Sequence, residues 1–193
     1  MRRNMENELW GKTLLMLYRH LETMAKSIDN LVCRIGINSA FNHSVYNSTI
    51  KDSNKIIELT ERKIKIINLK VIIQKALKKL KDKELKLIAL YYVDGVSYKK
   101  VQELLNITQR TFFRRKELAI AHFSDELANL GYDAEKLKDY LKNENWIKNT
   151  YFQVVNSSAN FFLKNKESKN QYKLLKLVLN DFGDNLSKSY SIF

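Results

Sequence analysis

The sequence predicts an all-α fold: a long-helix hairpin or bundle at the N-terminal end, a central helix-turn-helix, and further helices towards the C-terminus. Three observations carry this expectation. The 193 residues include no proline and only five glycines, so the two residues that interrupt helices most readily are scarce. Hydrophobic residues make up 45% and aromatics 11%, enough to fill a core and too much for a mostly disordered polyelectrolyte. Apolar side chains recur at intervals of three and four along most of the chain, the period of a helix face.

Residues 6–35 read as one long helix. Leu14, Leu17, Tyr18, Leu21, Met24, Ala25, Ile28, Leu31, Val32 and Ile35 form a single stripe along it. Core packing is the preferred use of that stripe, and a homodimer seam through residues 6–35 is the rival. Cys33 lies beside it and is expected to be buried and inert. Residues 37–54 are rich in Asn and Ser with almost no period, and a loop is expected there. Asp52 or Ser53 would then cap a second long helix reaching about Leu80. Its stripe comprises Ile56, Ile57, Ile64, Ile67, Val71, Ala76, Leu77 and Leu80, and Ile66 and Ile73 add a second, so it should pack on two sides. An antiparallel pair within the chain and a parallel coiled coil with another subunit both fit.

Residues 82–130 are the most informative. A helix from about Lys83 to Val93 carries Leu85, Ile88, Ala89 and Tyr92 on one face and stops at Asp94-Gly95. Ser97 can cap a short helix, Tyr98 to Leu105, whose core face would hold Val101, Leu104 and Leu105. Asn106-Ile107-Thr108 forms the turn: Asn tolerates the left-handed conformation, Ile107 plugs the angle, and Thr108 caps the next helix. That helix begins at Gln109 and buries Phe112, Ala119, Ile120, Phe123 and Leu127. Two short helices joined by a tight turn leave the start of the second one bare, sized for the major groove. Gln109, Arg110, Phe113 and Arg114 occupy that start. Arg forks onto guanine, Gln onto adenine, and an aromatic touches the thymine methyl.

The charge agrees. Residues 1–60 carry eight basic and six acidic side chains, residues 61–120 sixteen and six, and residues 121–193 ten and nine. Codon bias towards lysine would spread evenly, so a net excess of ten in the middle third needs another cause. A basic patch of that kind attracts phosphate through counterion release. Ser97, Tyr98, Lys99, Lys100, Thr108, Thr111, Arg115 and Lys116 are the expected phosphate contacts.

Ser97, Val101, Leu105-x-Ile107-Thr108 and the long helix TQRTFFRRKELAIAHF resemble the promoter-reading module of sigma-70 family factors, region four. Phage late-transcription regulators of the ArpU type are similar in size and share the module. The resemblance spans residues 80–128. It implies a sigma region-four-like fold there, double-stranded DNA as ligand, RNA polymerase as a candidate partner, and the cytoplasm of a bacterial or phage-infected cell. It also implies that Gln109, Arg110, Phe113 and Arg114 face the groove and that Thr108 contacts phosphate. Two positions depart from the family pattern: Gln102 stands where a small Ala is usual, and Asn106 replaces Gly. Residues 1–75 show no match to a promoter-melting region, so a regulator with a sigma-like reader is expected rather than a complete sigma factor.

The domain organisation that follows is 1–80 for packing or dimerisation, 81–130 for DNA binding, and 131–193 as a C-terminal helical segment. Asp133 is the expected cap of its first helix, followed by Leu137, Tyr140, Leu141 and Trp146 and then by Ile147 to Leu163 and Tyr172 to Leu179. A helical adaptor whose motif docks a protein, or a small-terminase-like packaging subunit, is the alternative. Enzyme readings are poor. His20, His43 and His122 have no carboxylate or thiol at ligand spacing, Glu58 and Glu61 suit a solvated ion-pair face, and Asp181-Phe182-Gly183 has no accompanying glycine loop. No metal or cofactor is expected, and a single cysteine excludes an internal disulfide. No apolar run approaches a membrane span, and the N-terminal residues lack the apolar stretch of a signal peptide.

Overall fold

The computed structural model describes residues 2–41 and 46–159. Among them lie seven α-helices and one π turn, and no strand. The elements are α1 (Arg2–Phe41), α2 (Tyr46–Leu77), α3 (Asp82–Ile88), the π turn Ala89–Val93, α4 (Tyr98–Leu105), α5 (Gln109–Asn129), α6 (Ala134–Tyr140) and α7 (Asn145–Ala159). The fold is all-α, as the composition and periodicity predict.

The expected loop at 37–54 is mostly helix: α1 continues to Phe41 and α2 already begins at Tyr46. Asp52 and Ser53 therefore sit inside α2 and do not cap it. Asn and Ser are weak helix formers, not breakers, and neither proline nor glycine occurs in residues 37–54. The two long helices run antiparallel. Gln74 donates to the Tyr18 hydroxyl at 3.0 Å, Lys70 meets Glu22 at 3.0 Å and Lys63 meets Asp29 at 2.6 Å, numbers rising on α1 as they fall on α2. The two ion pairs are largely solvated and set register more than stability.

The α1 stripe is core. Leu14, Leu17, Leu21, Met24, Ala25 and Ile28 are buried, and Leu31, Val32 and Ile35 pack partly against the same cluster. Cys33 is exposed, not buried, because it falls off the line facing α2. Both expected rows of α2 contribute to the core: Ile66 and Ile73 of the second are buried, with Ala76 and Leu77 from the end of the first and Leu59, Leu69 and Ile72 beside them. Ile57, Ile64, Ile67 and Val71 of the first row stay exposed. The rotation of α2 against its neighbours decides which of these apolar positions are covered.

The same core takes in the second half of α5 through Ala119, Ile120, Phe123 and Leu127, and α6–α7 through Leu137, Leu141, Trp146 and Ile147. The Asp133 carboxylate accepts from the Lys136 amide at 2.9 Å and caps α6 as expected. Trp10 of α1 stacks on Tyr151 of α7 at 4.4 Å. The corner between α6 and α7 is tied to α2 by Glu144, which is buried and accepts from Arg62 at 3.2 Å and from the Trp146 indole at 2.7 Å. The expected apolar runs from Phe161 to Leu163 and from Tyr172 to Leu179, and Asp181-Phe182-Gly183, lie outside the described residues.

α1 and α5 approach closely at Gly11, where a Cβ would lie 2.1 Å from the Ser124 hydroxyl oxygen and 3.2 Å from its Cβ. Ser124 is itself buried and donates to Ile120 at 2.8 Å, so it has no room to give way. Gly11→Ala is therefore expected to destabilise the fold by about 1–3 kcal/mol despite alanine's better helix propensity. Urea denaturation of Gly11→Ala and of Gly11→Ala/Ser124→Gly checks this, since the second change should restore most of the loss.

Candidate nucleic-acid interface

The helix-turn-helix is assembled around a second, smaller core. Leu87 of α3, Val101 of α4 and Phe112 of α5 are buried against one another, with Tyr91, Val96, Tyr98, Leu105, Ile107 and Phe113 packed around them. The π turn ends the first helix with an Asp94 amide bond to Ala89 at 2.8 Å, and Gly95 at φ +68° reverses the chain into α4. Ser97 stands at the start of α4 in extended conformation, but its side chain makes no capping bond. Its carbonyl oxygen accepts from the Val101 amide at 3.0 Å instead. Leu104 is exposed rather than core, since an eight-residue helix covers only one narrow flank.

The turn has the expected geometry. Asn106 is left-handed at φ 48°, ψ 54°, and the Ile107 amide reaches back to the Gln102 carbonyl at 3.0 Å. Thr108 is extended and its hydroxyl oxygen accepts from the Thr111 amide at 3.3 Å, within 2.9 Å of the Thr111 hydroxyl. This capped start presents its remaining amide groups outward, where an anion is favoured.

Gln109, Arg110, Arg114 and Arg115 are exposed at and just beyond that start, and Phe113 is half-buried. Phe113 lies against Phe112 at 5.3 Å and against Tyr98 of α4 at 6.1 Å, so one face is anchored and the other is open. Ser97, Lys99, Lys100 and Thr108 are exposed beside it, while Tyr98 and Thr111 are half-buried. Lys116 departs from its expected place. It is 5% exposed, with its ammonium 5.0 Å from the centre of the Phe113 ring and 5.5 Å from that of Tyr91. The ring faces replace water around the charge, and Lys116 supports the aromatic cluster from below instead of meeting solvent. It lies one turn after Phe112, on the buried side of α5, where periodicity alone would have put it.

A hollow open to solvent lies between α4 and the turn, lined by Tyr98, Lys99, Gln102, Glu103, Asn106, Ile107 and Gln109. The Gln102 amide nitrogen is buried there with no hydrogen-bond partner among the described residues. The sequence signal was present, since a glutamine stands where the helix-turn-helix pattern favours a small residue. Among the described residues no helix is long and apolar enough to cross a membrane, and no three His, Cys, Asp or Glu side chains are placed to hold a metal.

This turn, this capped helix and these exposed cations form a helix-turn-helix similar to sigma-70 region four. Residues 43–129, just under half of the chain, match the model of the ECF sigma factor family. The match reaches upstream of residue 80 and covers all of α2 as well as α3 to α5. It supports a sigma-factor-like DNA-binding regulator, a non-catalytic family, and does not extend the likeness to ArpU-type regulators. The chain matches no curated protein and no solved structure.

Proposed function

We propose that the protein is a sequence-specific DNA-binding transcription regulator that inserts the start of α5 into the major groove. The observation that carries this reading is the exposure of Gln109, Arg110 and Arg114 together at a helix start capped by Thr108. These three, with the open face of Phe113, read base edges. Ser97, Tyr98, Lys99, Lys100, Thr108, Thr111 and Arg115 hold phosphates. Lys116 leaves that set and becomes a support for Phe113. The reading assigns DNA binding to residues 81–130, packing to 1–80, and support to the C-terminal segment from 131. It places the protein in the cytoplasm, with RNA polymerase as a partner in keeping with the family match. No role falls to catalysis, metal or cofactor.

Selection from random duplexes on the purified protein should return one preferred sequence. Arg110→Ala should weaken that site by about 1–3 kcal/mol and relax preference at one position. Lys99→Ala should weaken all sequences alike and lower the salt slope by about one. Failure of both changes in a salt titration would remove α5 as the reader.

A further inference from the structure

The basic excess of the middle third is not used up by the reading helix. The stretch Lys75–Lys86 contains Lys75, Lys78, Lys79, Lys81, Lys83 and Lys86 against only Asp82 and Glu84, and all six lysines are exposed. Glu84 is turned towards His122 at 2.8 Å. The connection between α2 and α3 lies alongside α5, because Lys81, Lys83, Arg115 and Leu118 line one shallow groove together with Asp82 and Glu84.

The position of that groove about α5 is decisive. Phe113 packs on Tyr98 of α4, whereas Arg115 faces the α2–α3 connection. Side chains two residues apart leave a helix about 200° from each other, so α4 and the lysine-bearing connection flank α5 on opposite sides. The exposed Arg110 and Arg114 point out between the two flanks. Depth agrees as well. Arg115 lies six residues after Gln109, about 9 Å back along the axis, and the major groove is about 8.5 Å deep. With Gln109 at the groove floor, Arg115 and its lysine neighbours stand level with a phosphate rim.

We propose that the end of the α2–α3 connection and the first turn of α3, through Lys81 and Lys83 beside Arg115, form a second phosphate-binding rail that grips the DNA strand opposite the one held by α4. This rests on the reading of α5 as the groove-inserted helix. The duplex is thereby held on both rims, Lys99 and Lys100 on one strand and Lys81 and Lys83 on the other. The two rails fix how α5 tilts in the groove without adding base preference.

The test uses the full chain on its selected duplex, with anisotropy titrations across salt and with duplexes carrying single uncharged methylphosphonates. Lys81→Ala/Lys83→Ala should fold normally, keep the same preferred sequence, bind about tenfold more weakly at about 0.15 M salt, and lose about two from the salt slope. Wild-type binding should be sensitive to phosphate neutralisation on both strands, and the double variant should become insensitive on one strand only. Unchanged affinity and slope, or a loss of sensitivity spread evenly over both strands, overturns the rail. If Arg110→Ala and Lys99→Ala are also silent, it is the reading of α5 that has failed. If they are active while Lys81→Ala/Lys83→Ala is silent, only the rail has.

Discussion

Phe112→Ala is expected to destabilise the reading unit by about 3–5 kcal/mol and to abolish specific DNA binding at temperatures where the wild type is active. Phe112 is completely buried and is the largest member of the small core, closed in by Leu87 and Val101 and by the edges of Tyr91 at 5.4 Å and Phe113 at 5.3 Å. Truncation opens a cavity that three short elements cannot collapse into without changing the angle between α4 and α5. That angle is what aims Arg110 and Arg114. The α1–α2 core belongs to a different cluster and should survive, so hydrogen exchange should show early opening of 82–112 with protection kept in α1. Phe113→Ala, at a half-buried ring, is the control and should cost about 1 kcal/mol. A Phe112→Ala chain within 1 kcal/mol of wild type would mean that the helix-turn-helix is held by something other than this core.

Glu144→Gln should have the second largest effect, a loss of about 3 kcal/mol. The Glu144 side chain is 1% exposed and that of Arg62 18%, so the carboxylate balances a guanidinium with limited access to water. It also accepts the Trp146 indole N–H, which Gln can still satisfy. The penalty therefore comes from the charge. In an Arg62→Met background the same Glu144→Gln change should cost much less, and the difference between the two, read from urea midpoints, measures the coupling across the α2–α7 corner. Equal costs in both backgrounds would show that the ion pair does not hold the C-terminal helices to α2.

The elements most legible in the sequence were those with strong local chemistry. Gly95, Asn106 and Thr108 each adopt the backbone conformation that their residue type favours, and Asp133 caps α6, because these choices depend on atoms a few residues away. Ser97 marks the start of α4 correctly yet makes no capping bond, so residue type located the boundary while the bond itself depended on a rotamer. The polar stretch at 37–54 misled because Asn and Ser lower helix propensity without breaking a helix, and no proline or glycine stands there. Lys116 misled in the opposite way. Its charge suggested solvent, but Phe112 and Phe113 of its own helix together with Tyr91 from the preceding elements surround it with aromatic rings that allow it to be buried.

The sequence by itself determined that the chain is helical, where the helix-turn-helix lies, and which cations stand at the start of α5, because helix period, turn chemistry and charge are local properties. Tertiary structure decided which apolar positions α2 buries, which basic residues face solvent, and that Lys81 and Lys83 come to lie beside Arg115. Those outcomes depend on the rotation and crossing of helices distant in sequence, and a one-dimensional pattern does not contain that angle.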